Sequence, residues 1–574
     1  MAQSNSLKPL KLSNVLDPRL ECLEFAQKEM SWGVFKGCEG QNTIQQQANS
    51  YSSSGINFNF NSASENVIID RRVYCRAQFQ VTFVGTAPLN QPLLSTESDA
   101  PRCLPLSSIT NNLKVTINGS QVETQLNDCL PLLLRYNLSD WCKEHDLSMS
   151  PSTQDKYQRY VDGVGSVRNP LSNYQNSGKD TGRGAFSLDS ITNPVSPDAG
   201  ITPITAVVLF TVTEPLLVSP MLYKSQDLQS GLIGVKNMGV QFSFSGDLNR
   251  VWSRSPSAGV TLSSVTTAIG AGATAPPSIL INYLTPPLLS QSQIPRQVNY
   301  QYNKVDTNVT DMNVNLAPNA TQSFTNNAIQ MSNIPKSIYI CASRPNSDKT
   351  HLTTDTFFRI NSLSLNFLNV SGQFSSMSIQ DLYSMSVKNG CELSWNEWSG
   401  RTVTIGDSRT GLGSIDGMVG SVIKIDVSDL HIPSNVASGM NVNSQLSYTI
   451  GIENVNQVDT IGVSLVTVMV FDSLMTISNG VMATQTGVIS ERDVIEVRAD
   501  RENYIPYKSA ESIYGGDLFS KLGHFAHMGK KGLDAICGVK DMLGMGMGEE
   551  KHSPSKKHGG QLLTRSELRN RMYK

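Results

Sequence analysis

The seven histidines and nine cysteines are the side chains of this 574-residue chain with the widest chemical reach. His524 and His527 stand three apart, a spacing that can set two imidazoles on one helical face. No third ligand accompanies them, so a zinc site is not expected there. The cysteines (Cys22, Cys38, Cys75, Cys103, Cys129, Cys142, Cys341, Cys391 and Cys537) are odd in number, scattered and without a CxxC pair, which reads as reduced thiols. Trp395 and Trp398 flank Asn396-Glu397 and could stack on a sugar, but aromatic side chains in such a position more often anchor a helix to a core. There is no HExxH, no Walker A loop, no GxGxxG after a strand and no GxSxG elbow, and no carboxylate pair is singled out by spacing. Catalysis, cofactors and metal ions are not expected, and the chain reads as something other than an enzyme.

The elements that carry these residues are strands. From Val73 to Phe83, Val73, Cys75, Ala77, Phe79, Val81 and Phe83 alternate with Tyr74, Arg76, Gln78, Gln80 and Thr82, the pattern of a long strand buried on one face. In that phase Cys75 is a small core residue, not a ligand or nucleophile. Further strand patterns fall at Ala206–Val212, Val240–Ser245, Ile279–Leu284, Val298–Val305, Ile334–Arg344, Val422–Val427, Tyr448–Ile452 and Ile461–Phe471. Between Phe358 and Phe367 the apolar phase switches, with Phe358 and Ile360 on one phase and Leu363, Leu365 and Phe367 on the other. A β-bulge near Asn361 is predicted.

Internal repetition organises these strands. The run Asn112–Gln125 carries Asn118-Gly119 between two alternating segments, a hairpin signal, and leads into the apolar helix pattern Asp128–Tyr136 and then Leu138-Ser139 and Trp141. A second run has the same order: the strand Phe358–Phe367, a turn assigned to Ser371-Gly372, a capping-box start at Ser378–Asp381, then Leu393-Ser394 and Trp395. The offsets are close to 253 residues, which argues for duplication of a whole domain. Two domains of about eight short strands each fit two tandem eight-stranded jelly rolls, an all-β chain with short helices and long loops. The expected boundaries are an N-terminal arm at 1–65, a first jelly roll at 66–287 with a Ser/Asn/Gly-rich insertion at 149–202, a second at 288–503, and a C-terminal amphipathic tail at 504–574.

Charge and composition bound the partners. Charged residues make up only 16% and the net charge is -2, so the chain as a whole carries no nucleic-acid or membrane signature. The start has no apolar signal-peptide core and no run approaches a membrane span, so synthesis and assembly inside a host cell, in nucleus or cytoplasm, are expected. From Asp517 to Lys574 there are 11 Lys or Arg against 6 Asp or Glu. Leu518, Leu522, Phe525, Ile536, Val539 and Leu543 form a helical stripe there, as in a segment that lies on a membrane or a partner. The alternative is a solvated tail.

The segment Ile334–Ile340, the strand Phe358–Phe367 and the helix Ser378–Met385 resemble the second half of double jelly-roll major capsid proteins of the polinton, adintovirus and virophage group of DNA viruses. The resemblance covers roughly residues 65–475 and implies a homotrimer forming a pseudo-hexagonal capsomer, an icosahedral virion shell, and penton and minor capsid proteins as partners. It places the 149–202 insertion in an outward tower. Ile513-Tyr514-Gly515-Gly516-Asp517 is similar to the sites cut by adenovirus-type maturation proteases, which implies cleavage after Gly516. The released tail would act on membrane or genome, or as a scaffold. Two other readings stay open: a tandem jelly-roll coat protein of an RNA virus, against which the absence of an Arg-rich arm in residues 1–64 argues, and a non-viral carbohydrate-binding β-sandwich.

Overall fold

The chain passes back and forth between two facing sheets, interrupted by hairpins that stay within one sheet, and it does this twice. A computed structural model describes residues 40–136 and 186–486, apart from breaks of which the longest is 401–419, together with the paired strands Asn14–Leu16 and Val34–Lys36. In the first sandwich the terminal sheet, so called here because it holds that domain's first and last strands, runs Gly40–Gln47, Ser278–Thr285, Tyr74–Thr86, Ile204–Pro215, Phe186–Thr192. The facing hairpin sheet runs Gly55–Asn61, Asn237–Phe244, Thr110–Ile117, Ser120–Gln125. In the second sandwich the terminal sheet runs Gln297–Leu316, Ile461–Ser478, Ser337–Ser343, Val422–Asp426. Its hairpin sheet runs Thr321–Thr325, Asn441–Glu453, Arg359–Phe367, Val370–Gln373. Apart from two extra strands in the first domain, Phe186–Thr192 at the sheet edge and Thr261–Ile269 beside Tyr74–Thr86, the orders correspond. Each is a jelly roll of eight principal strands, and both lie in one compact unit, Met1–Ala526.

The core follows the alternation. Val73, Cys75, Ala77, Phe79, Val81 and Phe83 are all buried, while the side chains between them stay at least partly exposed on the other face of the Tyr74–Thr86 strand. Phe79 tilts against Phe210 at 5.6 Å, and Phe83 meets Trp252 edge-on at 5.4 Å. The bulge at Asn361 is present: pairing with Asn441–Glu453 slips between Ile360 and Ser362, which brings Ile360, Leu363 and Leu365 all into the core. The Ser378/Asp381 capping box also forms, opening the helix Ile379–Lys388.

Three sequence expectations need correction. Residues 40–61 do not belong to an N-terminal arm, since they supply a strand to each sheet, and Ile56, Phe58 and Phe60 are core residues. The alternation Ile56-Asn-Phe-Asn-Phe60 carries that signal inside a Gln/Ser/Asn-rich stretch, whereas Gly40–Gln47 is an edge strand exposed on both faces and shows no apolar period. Likewise Phe186–Thr192, placed in the insertion, pairs with Ile204–Pro215, and a register shift between Leu188 and Ser190 interrupts its alternation. Residues 149–185 lie outside the described residues. Third, the second hairpin turns after Phe367, where Leu368 has φ 49°, and Gly372 (φ 72°) sits in the returning strand beside a register shift. Gly119 and Gly372 are therefore not equivalent. Asp128 and Asp381 are, each being the third residue of the helix that follows its hairpin. Leu138, Ser139 and Trp141 lie outside the described residues.

Candidate functional site

The helix Leu126–Leu133 begins directly after the strand Ser120–Gln125, and residues 126–132 are all buried. A short helix buried on every side must have a covering element on its outer face. That cover is the outer face of the second sandwich's terminal sheet. Cys129 Sγ lies 3.3 Å from Thr307 Oγ1, and Asp128 Oδ1 accepts a 2.9 Å hydrogen bond from Asn346 Nδ2. Pro131, Cys341, Ser343, Phe357 and Val466 line a void of about 10 Å³ between the domains, at the lower limit for one water.

Tyr136, just beyond the helix, is a fully buried link. Its hydroxyl donates to Val422 O at 2.6 Å and its ring stands edge-on to Tyr339 at 5.5 Å. The same carbonyl accepts from Trp398 Nε1 at 3.0 Å. Val422, on the last strand of that sheet, is thereby tied to both the first domain and the second domain's own short helix Trp395–Ser399. Trp398 is fully buried and Trp395 packs with Tyr383, so the pair anchors that helix and does not present a sugar platform. A second capping box, Ser394 with Glu397, opens it.

Polar links extend the seam. Arg254 donates its main-chain N–H to His351 O at 3.0 Å, and Arg102 Nη2 donates to Thr353 O at 2.9 Å. Arg254 is itself held by Asp99 at 3.1 Å with both side chains almost fully buried, and Trp252 Nε1 donates to the same carboxylate. Elsewhere along the seam the Ile233 N–H donates to the Tyr300 hydroxyl at 2.7 Å, Arg71 lies 4.8 Å over the Tyr300 ring, and Ser120 Oγ donates to Met482 O.

Reactivity is suppressed throughout. Burial pushes the Cys129 thiol up to about 12, against a downward pull from the Thr307 contact, and also raises Cys75, Cys341 and the Tyr136 phenol. Such thiols stay protonated and non-nucleophilic. Among the described residues no three His, Cys, Asp or Glu side chains cluster as a metal site. His524 and His527, and the expected cleavage residues Ile513, Gly515, Gly516 and Asp517, lie outside the described residues. The seam welds the two jelly rolls together through buried contacts.

Comparison with known proteins assigns that architecture. Residues 13–284 match the family model of the Sputnik virophage major capsid protein first domain, and residues 302–473 match that of the major capsid protein V20 C-terminal domain. The chain is 30% identical over 546 residues to the putative capsid protein V20 of Sputnik virophage, covering 92% of this chain and 88% of that one. It belongs to the virophage major capsid protein family. The 3.5 Å cryo-EM structure of the Sputnik virophage superposes with a TM-score of 0.73 at 29% identity, over 89% of this chain and all of the other. The mavirus major capsid protein shares the fold, with a TM-score of 0.63 at 18% identity, covering 79% and 92% of the two chains. The protein is a double jelly-roll structural component of the virion of a DNA virus and not an enzyme. Membership overturns the RNA-virus coat and carbohydrate-binding readings.

Several residues that make the seam had no local sequence signature. Tyr136, Asp99 and Arg254 are ordinary residue types at unremarkable spacing. The one available signal was the run Leu126–Leu134, apolar nearly all round, which implies a helix with no solvent face.

Proposed function

We propose that three copies of this major capsid protein assemble into a pseudo-hexagonal capsomer that tiles an icosahedral shell, with penton and minor capsid proteins completing it, and that this occurs inside the host cell. The carrying observation is the weld: two jelly rolls of corresponding strand order are fixed to one another by buried contacts. A chain so built presents two like walls, and three chains in a closed ring present six. Mass photometry and negative-stain microscopy of the expressed protein test this. Hexagonal particles of three chain masses are expected, and a chain that stays monomeric at every concentration overturns it.

Residues 517–574 of the tail are proposed to be released by a viral maturation protease cutting after Gly516, freeing a basic amphipathic peptide for membrane or genome. The Ile513–Asp517 sequence and the positive balance beyond it support this reading. Intact-mass measurement on purified virions is expected to find chains ending at Gly516. Chains ending at Lys574 overturn it.

A further inference from the structure

The seam within the chain is one instance of a contact whose two halves each have an unmatched twin. Its first half is the helix Leu126–Leu133, whose twin, by position after the hairpin and by the Asp128/Asp381 match, is Ile379–Lys388. The first is buried all round, while the second buries Leu382, Met385 and Ser386 and exposes Gln380, Asp381, Ser384, Val387 and Lys388. In particular Pro131, which faces Cys341 and Ser343 across the seam, corresponds in helix position to the exposed Ser384. The other half of the seam is the outer face of the second terminal sheet. Its twin, the outer face of the first terminal sheet, is open and holds a cavity of about 430 Å³ lined by Gln45, Arg76, Gln78, Asp189, Thr211 and Thr213 among others.

We infer that this polar face of the first sandwich receives the exposed side of the helix Ile379–Lys388 from a second copy of the chain. The inference rests on the ring-assembly reading above and names its contact. A head-to-tail contact leaves one free helix and one free sheet face on every open chain, and both disappear when the ring closes. The chemistry of the two sheet faces fits this division of labour. The intramolecular one is covered during folding and is lined by Tyr339, Cys341, Val466 and Val468. The open one must stay soluble until chains meet, as non-obligate interfaces do. Its groups are already ordered by mutual hydrogen bonds: Asp189 Oδ2 accepts from Gln78 Nε2 and Thr211 Oγ1, both at 2.6 Å, and Ala275 N–H donates to Gln78 Oε1 at 2.7 Å. Ordering a polar face before contact lowers the entropic cost of docking.

The test uses the full chain with Gln78→Cys and Ser384→Cys together and separately, treated with a short bis-maleimide. The double variant is expected to give covalent dimers and trimers on denaturing gels well above the background that the native cysteines set in each single variant and in the unmodified chain. Ser384→Trp and Thr213→Trp, at partly or fully exposed positions, are each expected to cut the yield of rings at least tenfold while leaving the melting temperature of the chain unchanged. Rings that form normally in both tryptophan variants, with no cross-linking above the single-cysteine controls, overturn this contact and leave ring assembly standing. An unmodified chain that forms no rings overturns the assembly reading itself, and the contact with it.

Discussion

The two terminal sheets have corresponding strand orders and opposite fates on their outer faces. In the second sandwich every residue of Ser337–Ser343 and the first eleven of Ile461–Ser478 are buried, because one face meets the hairpin sheet and the other meets the first domain. In the first sandwich Tyr74–Thr86 is buried only at alternate positions, with Arg76, Gln78, Gln80 and Thr82 turned outward. Topology therefore does not decide which faces are sealed. Side-chain chemistry does: a nearly unbroken apolar run such as Ile338-Tyr-Ile-Cys-Ala342 is stable only when covered on both sides, and a period-two strand is complete with one side wet. The first kind of face is sealed within the chain, and the second is left wet.

The contrast is broken most sharply at Asp99. Its carboxylate and the Arg254 guanidinium are both withdrawn from water, and the Arg254 N–H reaches His351 of the other domain. Asp99→Asn leaves an uncompensated buried cation, and a loss of about 3–5 kcal/mol is expected. Urea unfolding followed by tryptophan fluorescence reads it, and a change under about 1 kcal/mol would show that the pair is solvated in solution.

Tyr136→Ala empties a fully buried aromatic site, with an expected loss of about 3–5 kcal/mol. Calorimetry should then show the two sandwiches melting in separate steps, because the ring that couples them is gone. One unaltered cooperative transition would remove Tyr136 from the weld. Tyr136→Phe keeps the ring and removes only the hydroxyl. Val422 O still accepts from Trp398, so no acceptor is orphaned and the expected loss falls to about 1 kcal/mol.

Glu214 tests the inner face of the open sheet. It lies opposite Cys75 in the core and accepts from Leu106 N, Ser107 N and Ser107 Oγ. Burial raises its carboxyl to about 7, with those hydrogen bonds pulling the other way. A carboxyl whose folded value exceeds its unfolded one binds a proton more tightly in the native state, so its contribution is full below about 4.5 and is lost as pH rises to about 7. The unfolding free energy should therefore decline across that window relative to Glu214→Gln, by on the order of 3 kcal/mol. Parallel pH profiles for the two proteins would mean that the carboxylate stays ionised and is fully satisfied by its three donors.

Legibility in the sequence follows the same division. Strands with one wet face, such as Tyr74–Thr86 and Arg359–Phe367, were readable to the level of a single bulge residue, because alternation is a local property. The Ser378 capping box was readable for the same reason. Edge strand Gly40–Gln47 was not, since an element exposed on both faces needs no apolar period. Phe186–Thr192 hides its strand character because a register shift breaks its phase. The weld was the least legible part. Tyr136 and Val422 are 286 residues apart, and the bond between them uses a main-chain carbonyl that any residue supplies.

Gln80→Val gives the smallest expected effect and draws the contrast most finely. Gln80 points outward from the open sheet and is partly exposed. A β-branched side chain suits a strand as well as glutamine does, and a surface change away from caps, strain and buried partners usually stays within about 0.5 kcal/mol. The isolated chain should therefore unfold at an unchanged denaturant midpoint. The reverse exchange on the sealed sheet, Val468→Gln, forces an amide into a seam with little room for water and should cost about 1–3 kcal/mol. If both substitutions proved equally neutral, the second face would be wet in solution and the two sheets would not differ in kind.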